Sequence, residues 1–158
     1  MKPIFLIFFC ITIFSCNKKQ PIKLDKSKIV IIPAEGKNFK PTDEELFLVE
    51  QLVNKRLSIH NEEQKASNQD RKYFFGDSLQ YDYESKIIEY KNYYRQLEAF
   101  YNDKGEKIVV LNCLCDIENF TDWRKAKIEV KDGGSCFFQI TVNINLRIVY
   151  GFTINGEA

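Results

Sequence analysis

The spacing of hydrophobic residues between positions 42 and 60 predicts an amphipathic helix. At about 100° per residue, the apolar positions fall on one half of the helical wheel: Leu46, Leu48, Val49, Leu52, Val53, Leu57 and Ile59. The opposite half should face water, and it contains Glu50, Gln51, Asn54 and Lys55. Thr42 is a favoured N-cap, and Glu45 completes a capping-box pattern. The polar segment 61–71 lacks an apolar period, which predicts a frayed helix end and then a loop.

Most of the remaining chain has the alternating pattern of half-buried β-strands. The apolar run 29–32, stopped by Pro33, predicts a short edge strand. Further strands are predicted at 93–101, 106–115, 124–131, 135–146 and 147–154. Turns are predicted at 102–105 and 132–134, and a longer loop is predicted at 116–123. The aromatic-rich segment 73–83 should fold its rings over an open end of the sheet.

These elements predict an α+β fold, in which one amphipathic helix packs on a curved antiparallel sheet of four to five strands. The arrangement resembles the cystatin-like roll group. The resemblance implies a fold only, because folds of this kind host binders, inhibitors and enzymes alike.

The N-terminal segment has the pattern of a signal peptide. A single positive charge, Lys2, precedes an apolar run at 4–14 that is shorter than the roughly 20 residues needed to span a bilayer. The Ser15-Cys16 ending resembles a bacterial lipobox, which implies that residues 1–15 are removed and that Cys16 is acylated. Residues 16–28 are polar and lysine-rich, which predicts a flexible tether. Residues 29–158 are then expected to form a single α+β domain.

The charge balance bears on the partner of this protein, and the predicted lipid anchor bears on its location. Without Lys2, the 23 basic side chains fall to 22, which equals the number of acidic side chains. This balance argues against a nucleic-acid partner, which normally requires a basic excess. Asn17 differs from the aspartate that resembles an inner-membrane retention signal. We therefore expect a lipid-anchored protein of the bacterial cell envelope, held at the outer membrane and facing the periplasm.

Three cysteines remain in the expected domain: Cys113, Cys115 and Cys136. An envelope location permits a disulfide, and we expect Cys115 to pair with Cys136, with Cys113 as the alternative partner. In a plain meander, however, Cys115 and Cys136 would lie at opposite ends of strands and beyond the ~7 Å Cα limit for a bridge. Either the loop 116–123 brings the chain back, the strand order differs, or the cysteines are buried thiols.

Four stretches resemble a group of small uncharacterised bacterial lipoproteins. They are GEKIVVLNCLC from Gly105, WRK from Trp123, DGGSCFF from Asp132 and NGEA from Asn155. The likeness covers about the last seventy residues and the start of the helix at Thr42. It implies an envelope location and a shared fold, and it carries no activity.

No catalytic set, metal site or cofactor motif stands out in the sequence. His60, the one histidine, is expected to bond a nearby carbonyl or interact with a helix end. We therefore expect a non-enzymatic binding module with an envelope protein as partner. The alternative is a thiol-dependent or hydrolytic envelope enzyme, which would place Cys113, Cys115 or His60 in an open pocket.

Overall fold

The chain folds as one long helix packed on a five-stranded sheet. The computed structural model describes residues 24–76 and 84–156, apart from the side chain of Phe75. The elements in chain order are β1 (Ile29–Ile32), α1 (Asp43–Phe75), β2 (Tyr94–Tyr101), β3 (Lys107–Leu114), β4 (Phe137–Asn143) and β5 (Ile148–Ile154). The strands pair in the order β1-β2-β3-β4-β5. The α+β class and the number of strands predicted from the sequence are confirmed.

The sheet is mixed, whereas an antiparallel sheet was expected. β1 pairs with β2 in parallel, and the other three pairs are antiparallel. Parallel neighbours require a crossover connection, and α1 supplies one between β1 and β2. The predicted edge position of β1 is confirmed.

Helix α1 begins where the sequence predicted and extends further than expected. The Thr42 hydroxyl accepts from the Glu45 amide at 3.2 Å, and the Glu45 carboxylate accepts from the Thr42 amide at 2.9 Å. The segment 61–71, predicted as a frayed end and loop, is helical throughout. Residues 61–75 include good helix formers and no glycine or proline, so the helix continues through them. It ends at Gly76, which has a φ of 65°.

The second half of α1 extends past the sheet. A helix of 33 residues is about 50 Å long, whereas strands of seven or eight residues span about 25 Å. Near the helix end, Tyr73 and Phe74 are 85% and 73% exposed. The expectation that these two rings fold over the sheet is wrong, and residues 77–83 of the same aromatic segment lie outside the described residues.

The core lies between α1 and the facing side of the sheet. Its helix residues are Leu46, Val49, Val53 and Leu57, which confirms four positions of the predicted apolar face. The sheet contributes alternate residues of each central strand: Leu97, Ala99, Val109, Leu111, Cys113, Phe138, Ile140 and Val142. Ile59, also predicted to face the core, is 46% exposed.

The predicted strand at 124–131 is wrong. β3 pairs directly with β4, and residues 116–131, here called the outer-face segment, have no strand structure. Gln96 on the face opposite α1 donates to the carbonyl oxygens of Trp123 and Ala126. The segment therefore lies on the outer face of the sheet, where it is bound by side chains instead of by a neighbouring strand. Its apolar–polar alternation reflects a sheet face on one side and water on the other.

The turn predicted at 132–134 joins the outer-face segment to β4 and is not a hairpin between two strands. Gly133 has a φ of 89°, and a Cβ atom there would lie 2.6 Å from the Phe137 ring. Only glycine fits this position without a shift of the ring. Among the described helices, none is long and apolar enough to cross a membrane.

Candidate binding groove

The predicted disulfide between Cys115 and Cys136 is confirmed. The two Cα atoms are 4.9 Å apart, and the Cys115 amide donates to the Cys136 carbonyl at 2.9 Å. Because no strand intervenes between β3 and β4, both cysteines stand at the same end of neighbouring strands. The incorrect assumption was the extra strand at 124–131, which placed the two cysteines on strands two positions apart. Cys113 is the free thiol, and Cys16 lies outside the described residues.

Beneath α1, a charged pair is buried in the core. Arg95 Nη1 lies 3.0 Å from Glu50 Oε2, with the two side chains 4% and 5% exposed. The Tyr90 hydroxyl donates to Glu50 Oε1 at 2.8 Å, and the Arg95 guanidinium stacks on the Tyr90 ring. The expectation that Glu50 faces water is therefore wrong. The sequence signal that could have revealed it is Arg95, a cation on the apolar face of a predicted strand.

The Cys113 thiol lies beside this pair and is fully buried. Burial raises the pKa of Cys113 well above its ordinary value, although Arg95 favours the thiolate. A protonated, inaccessible thiol is a poor nucleophile. With Cys115 and Cys136 in the disulfide, the three cysteines are not arranged as a thiol active site.

His60 lies in the middle of α1, because the helix continues beyond its expected end. Its Nε2 is 3.3 Å from the Lys86 carbonyl oxygen, so the expected contact with a carbonyl is confirmed. Burial lowers the pKa of His60, which favours the neutral imidazole at pH 7. His60 also lines a pocket of about 360 Å³ near the end of β5, together with Gln64, Lys86, Gly134, Ser135, Ile154 and Asn155.

This pocket does not contain a nucleophile poised by His60. The Ser135 hydroxyl donates to the carbonyl of Ser85, and the His60 ring is directed at the Lys86 carbonyl. Among the described residues, no group of three His, Cys, Asp or Glu side chains could hold a metal ion.

A second pocket, of about 230 Å³, lies at the start of β5. Its apolar lining is Leu52, Ile59, Ile148 and Val149. Three cations complete it: Lys55, Arg56 and Arg147. Lys55 and Arg147 are exposed and, within the described part of the chain, belong to no ion pair. The pocket thus combines an apolar floor with a basic rim.

The two pockets lie at opposite ends of the seam between α1 and β5, and this seam is here called the α1–β5 groove. Helix and strand run in the same direction, because residues 52–59 of α1 face the start of β5 and residues 60–64 face its end. Between the pockets, the Arg56 guanidinium lies 4.7 Å from the Phe152 ring centroid, and the His60 ring packs edge-on against the same ring at 5.3 Å. Packed side chains therefore separate the two pockets, which lie at opposite ends of β5.

β5 is an edge strand, and part of its backbone faces outward. Asn155 donates its amide to the Phe137 carbonyl of β4. Because hydrogen-bonded and non-hydrogen-bonded pairs alternate in an antiparallel ladder, the amides of Phe152 and Ile154 point away from β4. No other strand of the described residues pairs with this edge.

Sequence reasoning missed the groove. The one available signal was the strand Ile148–Ile154, which carries apolar residues on both faces; Ile148 and Tyr150 are 44% and 57% exposed. No protein-family model, curated protein or solved structure matches this chain.

Proposed function

We propose that this protein is a lipid-anchored interaction module of the bacterial cell envelope. The α1–β5 groove carries this proposal, because it combines an apolar floor and a basic rim with a strand edge to which no other strand of the described residues is paired. Edges of this kind bind a partner through main-chain hydrogen bonds, while neighbouring pockets select its side chains. The partner is an envelope protein, and the anchor is the acylated Cys16 in the outer membrane, facing the periplasm.

The attachment point is compatible with an accessible groove. Residues 24–28, the described end of the expected tether, contact the domain: Lys26 pairs with Asp43 at 2.8 Å, and Arg124 donates to the Ser27 carbonyl. They lead directly into β1, four strands away from β5, or about 19 Å at the usual strand spacing. A lipid attached ahead of this segment would hold the domain by one edge and leave the other edge available.

An envelope enzyme, the alternative function, finds less support. Its thiol form would need a reactive cysteine, whereas Cys113 is buried and the other two form the disulfide. Its hydrolytic form meets one expectation, because His60 lines a pocket, but the Ser135 hydroxyl of that pocket donates to the Ser85 carbonyl. Binding is therefore the better-supported function.

Site-specific photo-crosslinking in growing cells tests the interaction module. A photoreactive residue at Ile148, in the groove, should give a discrete protein adduct. The same residue at Lys104, in the exposed β2–β3 turn, is the control and should not. If Ile148 yields no adduct beyond that of Lys104 in any growth phase, the proposed function is wrong.

The anchor is tested separately by whole-protein mass spectrometry of the membrane-extracted protein. We expect removal of residues 1–15 and the added mass of acyl chains on Cys16. The Cys16→Ser variant should carry no acyl chains and should leave the membrane. A variant that remains membrane-bound at the unmodified full-length mass would exclude lipid attachment at this residue as the anchor.

A further inference from the structure

We propose that the α1–β5 groove binds an extended acidic peptide segment, which adds to β5 as a sixth strand of the sheet. The inference rests on the proposed function and specifies the chemistry of the partner. Three properties of the groove support it: the free backbone, the charge of the rim and the spacing of the pockets.

The backbone of β5 supplies the pairing. The outward amides of Phe152 and Ile154 are two residues apart, as the ladder of an added strand requires. The sheet already buries one face against α1, so a strand added at this edge would continue that layer. Its inward side chains would then lie beside the helix, over the pockets at each end of β5.

The charge of the groove selects an acidic partner. Lys55, Arg56 and Arg147 border one pocket, and Lys86 borders the other. Glu63 lies 3.7 Å from Arg56, so this arginine is partly neutralised. Lys55 and Arg147, exposed and outside any ion pair of the described residues, are the cations that an incoming carboxylate would meet first.

The floor of the groove selects apolar residues between the acidic ones. Leu52, Ile59 and Ile148 line the first pocket, and Ile154 lines the second. In an extended peptide, successive side chains point to opposite faces. Because α1 supplies both floor residues and the cations Lys55 and Arg56, the peptide side chains that face α1 must include both apolar and acidic residues.

The segment preceding the domain in this chain is not the expected occupant. Residues 17–23 (NKKQPIK) carry three lysines and no acid, so the basic rim would repel them. They also join the domain at β1, the opposite edge of the sheet. The charge pattern points instead to an acidic segment of another protein.

Peptide binding to the full chain, purified in mild neutral detergent, tests the proposal by fluorescence anisotropy. The probe is a fluorescein-labelled nonapeptide of the repeat Val-Val-Glu-Glu, capped at both ends, so that each face of the strand carries both residue types. One control probe replaces each glutamate by lysine. A second keeps the sequence but carries N-methyl groups on alternate backbone amides, which blocks strand pairing without changing charge.

We expect the acidic probe to bind at least about tenfold more tightly than either control probe. Lys55→Glu and Arg147→Glu should each weaken binding by about three- to tenfold. Lys104→Glu is the matched control for charge reversal, because Lys104 is exposed in the β2–β3 turn and lines neither pocket. It should leave the affinity within about twofold of the original value, and circular dichroism should show all three variants folded.

Other outcomes overturn the inference in distinguishable ways. Equal binding of the acidic and N-methylated probes would mean attraction by charge without strand addition. Displacement of the probe by micelles containing phosphatidylglycerol, but not by neutral ones, with equal binding of the N-methylated probe, would identify a membrane surface as the occupant. Absence of peptide binding, alongside a groove-specific crosslink at Ile148, would leave the interaction module in place and exclude an acidic strand as its ligand.

Discussion

The Asn112 carboxamide donates to the Gln96 carboxamide oxygen at 3.0 Å, across the β2–β3 pair on the outer face of the sheet. Gln96 also accepts from the Ile128 amide at 2.8 Å and donates to the carbonyls of Trp123 and Ala126. Both donor hydrogens and both acceptor sites of this fully buried amide are therefore used. Asn112 also donates to the Ile128 carbonyl at 2.7 Å, so one side chain of β2 and one of β3 bind a 16-residue segment that has no strand to pair with.

Gln96→Ala should destabilise the protein by about 2–4 kcal/mol. The substitution leaves an amide and two carbonyls of the outer-face segment without partners, and each such loss costs about 1–3 kcal/mol when the group stays buried. Urea unfolding followed by circular dichroism measures the effect. Gln139→Ala is the matched control, because Gln139 follows in the same cross-strand row but is exposed. It should change the free energy of unfolding by no more than about 0.5 kcal/mol. Equal effects of the two substitutions would contradict the role of Gln96.

Local patterns in the sequence were sufficient to predict the elements that depend on residues close together in the chain. The capping box at Thr42, the turn at 102–105 and the strands β2 to β5 followed from short-range signals. The end of α1 did not, because the hydrophobic period stops near His60 whereas helix propensity continues to Gly76. The regular spacing of apolar residues shows which part of a helix packs against the core. It does not show where the helix ends.

Long-range relationships could not be predicted from one sequence. Alternation at 124–131 is typical of a strand, and nothing local shows that Gln96 and Asn112 bind the segment instead. Glu50 was assigned to water because its partner Arg95 is 45 residues away. The groove was missed for the same reason, since it exists only where α1 and β5 are brought side by side.

Removing the Cys115–Cys136 disulfide should destabilise the protein by about 3 kcal/mol. The bridge closes a loop with a sequence separation of 21. A cross-link of that span lowers the entropy of the unfolded chain, which stabilises the folded state by about 3 kcal/mol. Urea unfolding of Cys115→Ala/Cys136→Ala measures it. The unsubstituted chain in dithiothreitol should unfold at a similar urea concentration, whereas dithiothreitol should not affect the double variant. An unchanged midpoint on reduction would show that the bridge does not stabilise the fold.

Arg95→Met should make stability strongly dependent on pH. Burial raises the pKa of Glu50 even with Arg95 in place, so the folded protein holds this proton more tightly than the unfolded chain does. The contribution of Glu50 to stability is therefore greatest below its unfolded pKa and declines as pH rises through its folded pKa. Removing Arg95 takes away the cation that opposes this shift, and the decline should become larger.

The loss in unfolding free energy caused by Arg95→Met should reach about 3–5 kcal/mol at pH 8 and be clearly smaller at pH 5. Urea unfolding at both pH values tests this. Lys127→Met is the control, because it removes the cation of a partly exposed pair with Glu98. It should cost less than about 1 kcal/mol. An Arg95→Met effect that is the same at pH 5 and pH 8 would show that Glu50 is not the titrating group.

Arg147→Gly should stabilise the fold and weaken the binding of the acidic peptide to the α1–β5 groove. Arg147 has a φ of 56°, the only positive value among the described residues other than glycine, and relieving it should be worth about 0.5–1 kcal/mol. Arg147→Ala is the matched control, because it removes the same side chain and keeps the backbone penalty. We expect the glycine variant to unfold at a higher urea concentration than both the alanine variant and the original chain.

Both variants should bind the acidic probe about equally weakly, since both lack the guanidinium. Equal stability of the two variants would show that the backbone at this position is unstrained. Greater stability together with weaker binding would mean that an arginine is held in an unfavourable conformation where its charge serves the groove.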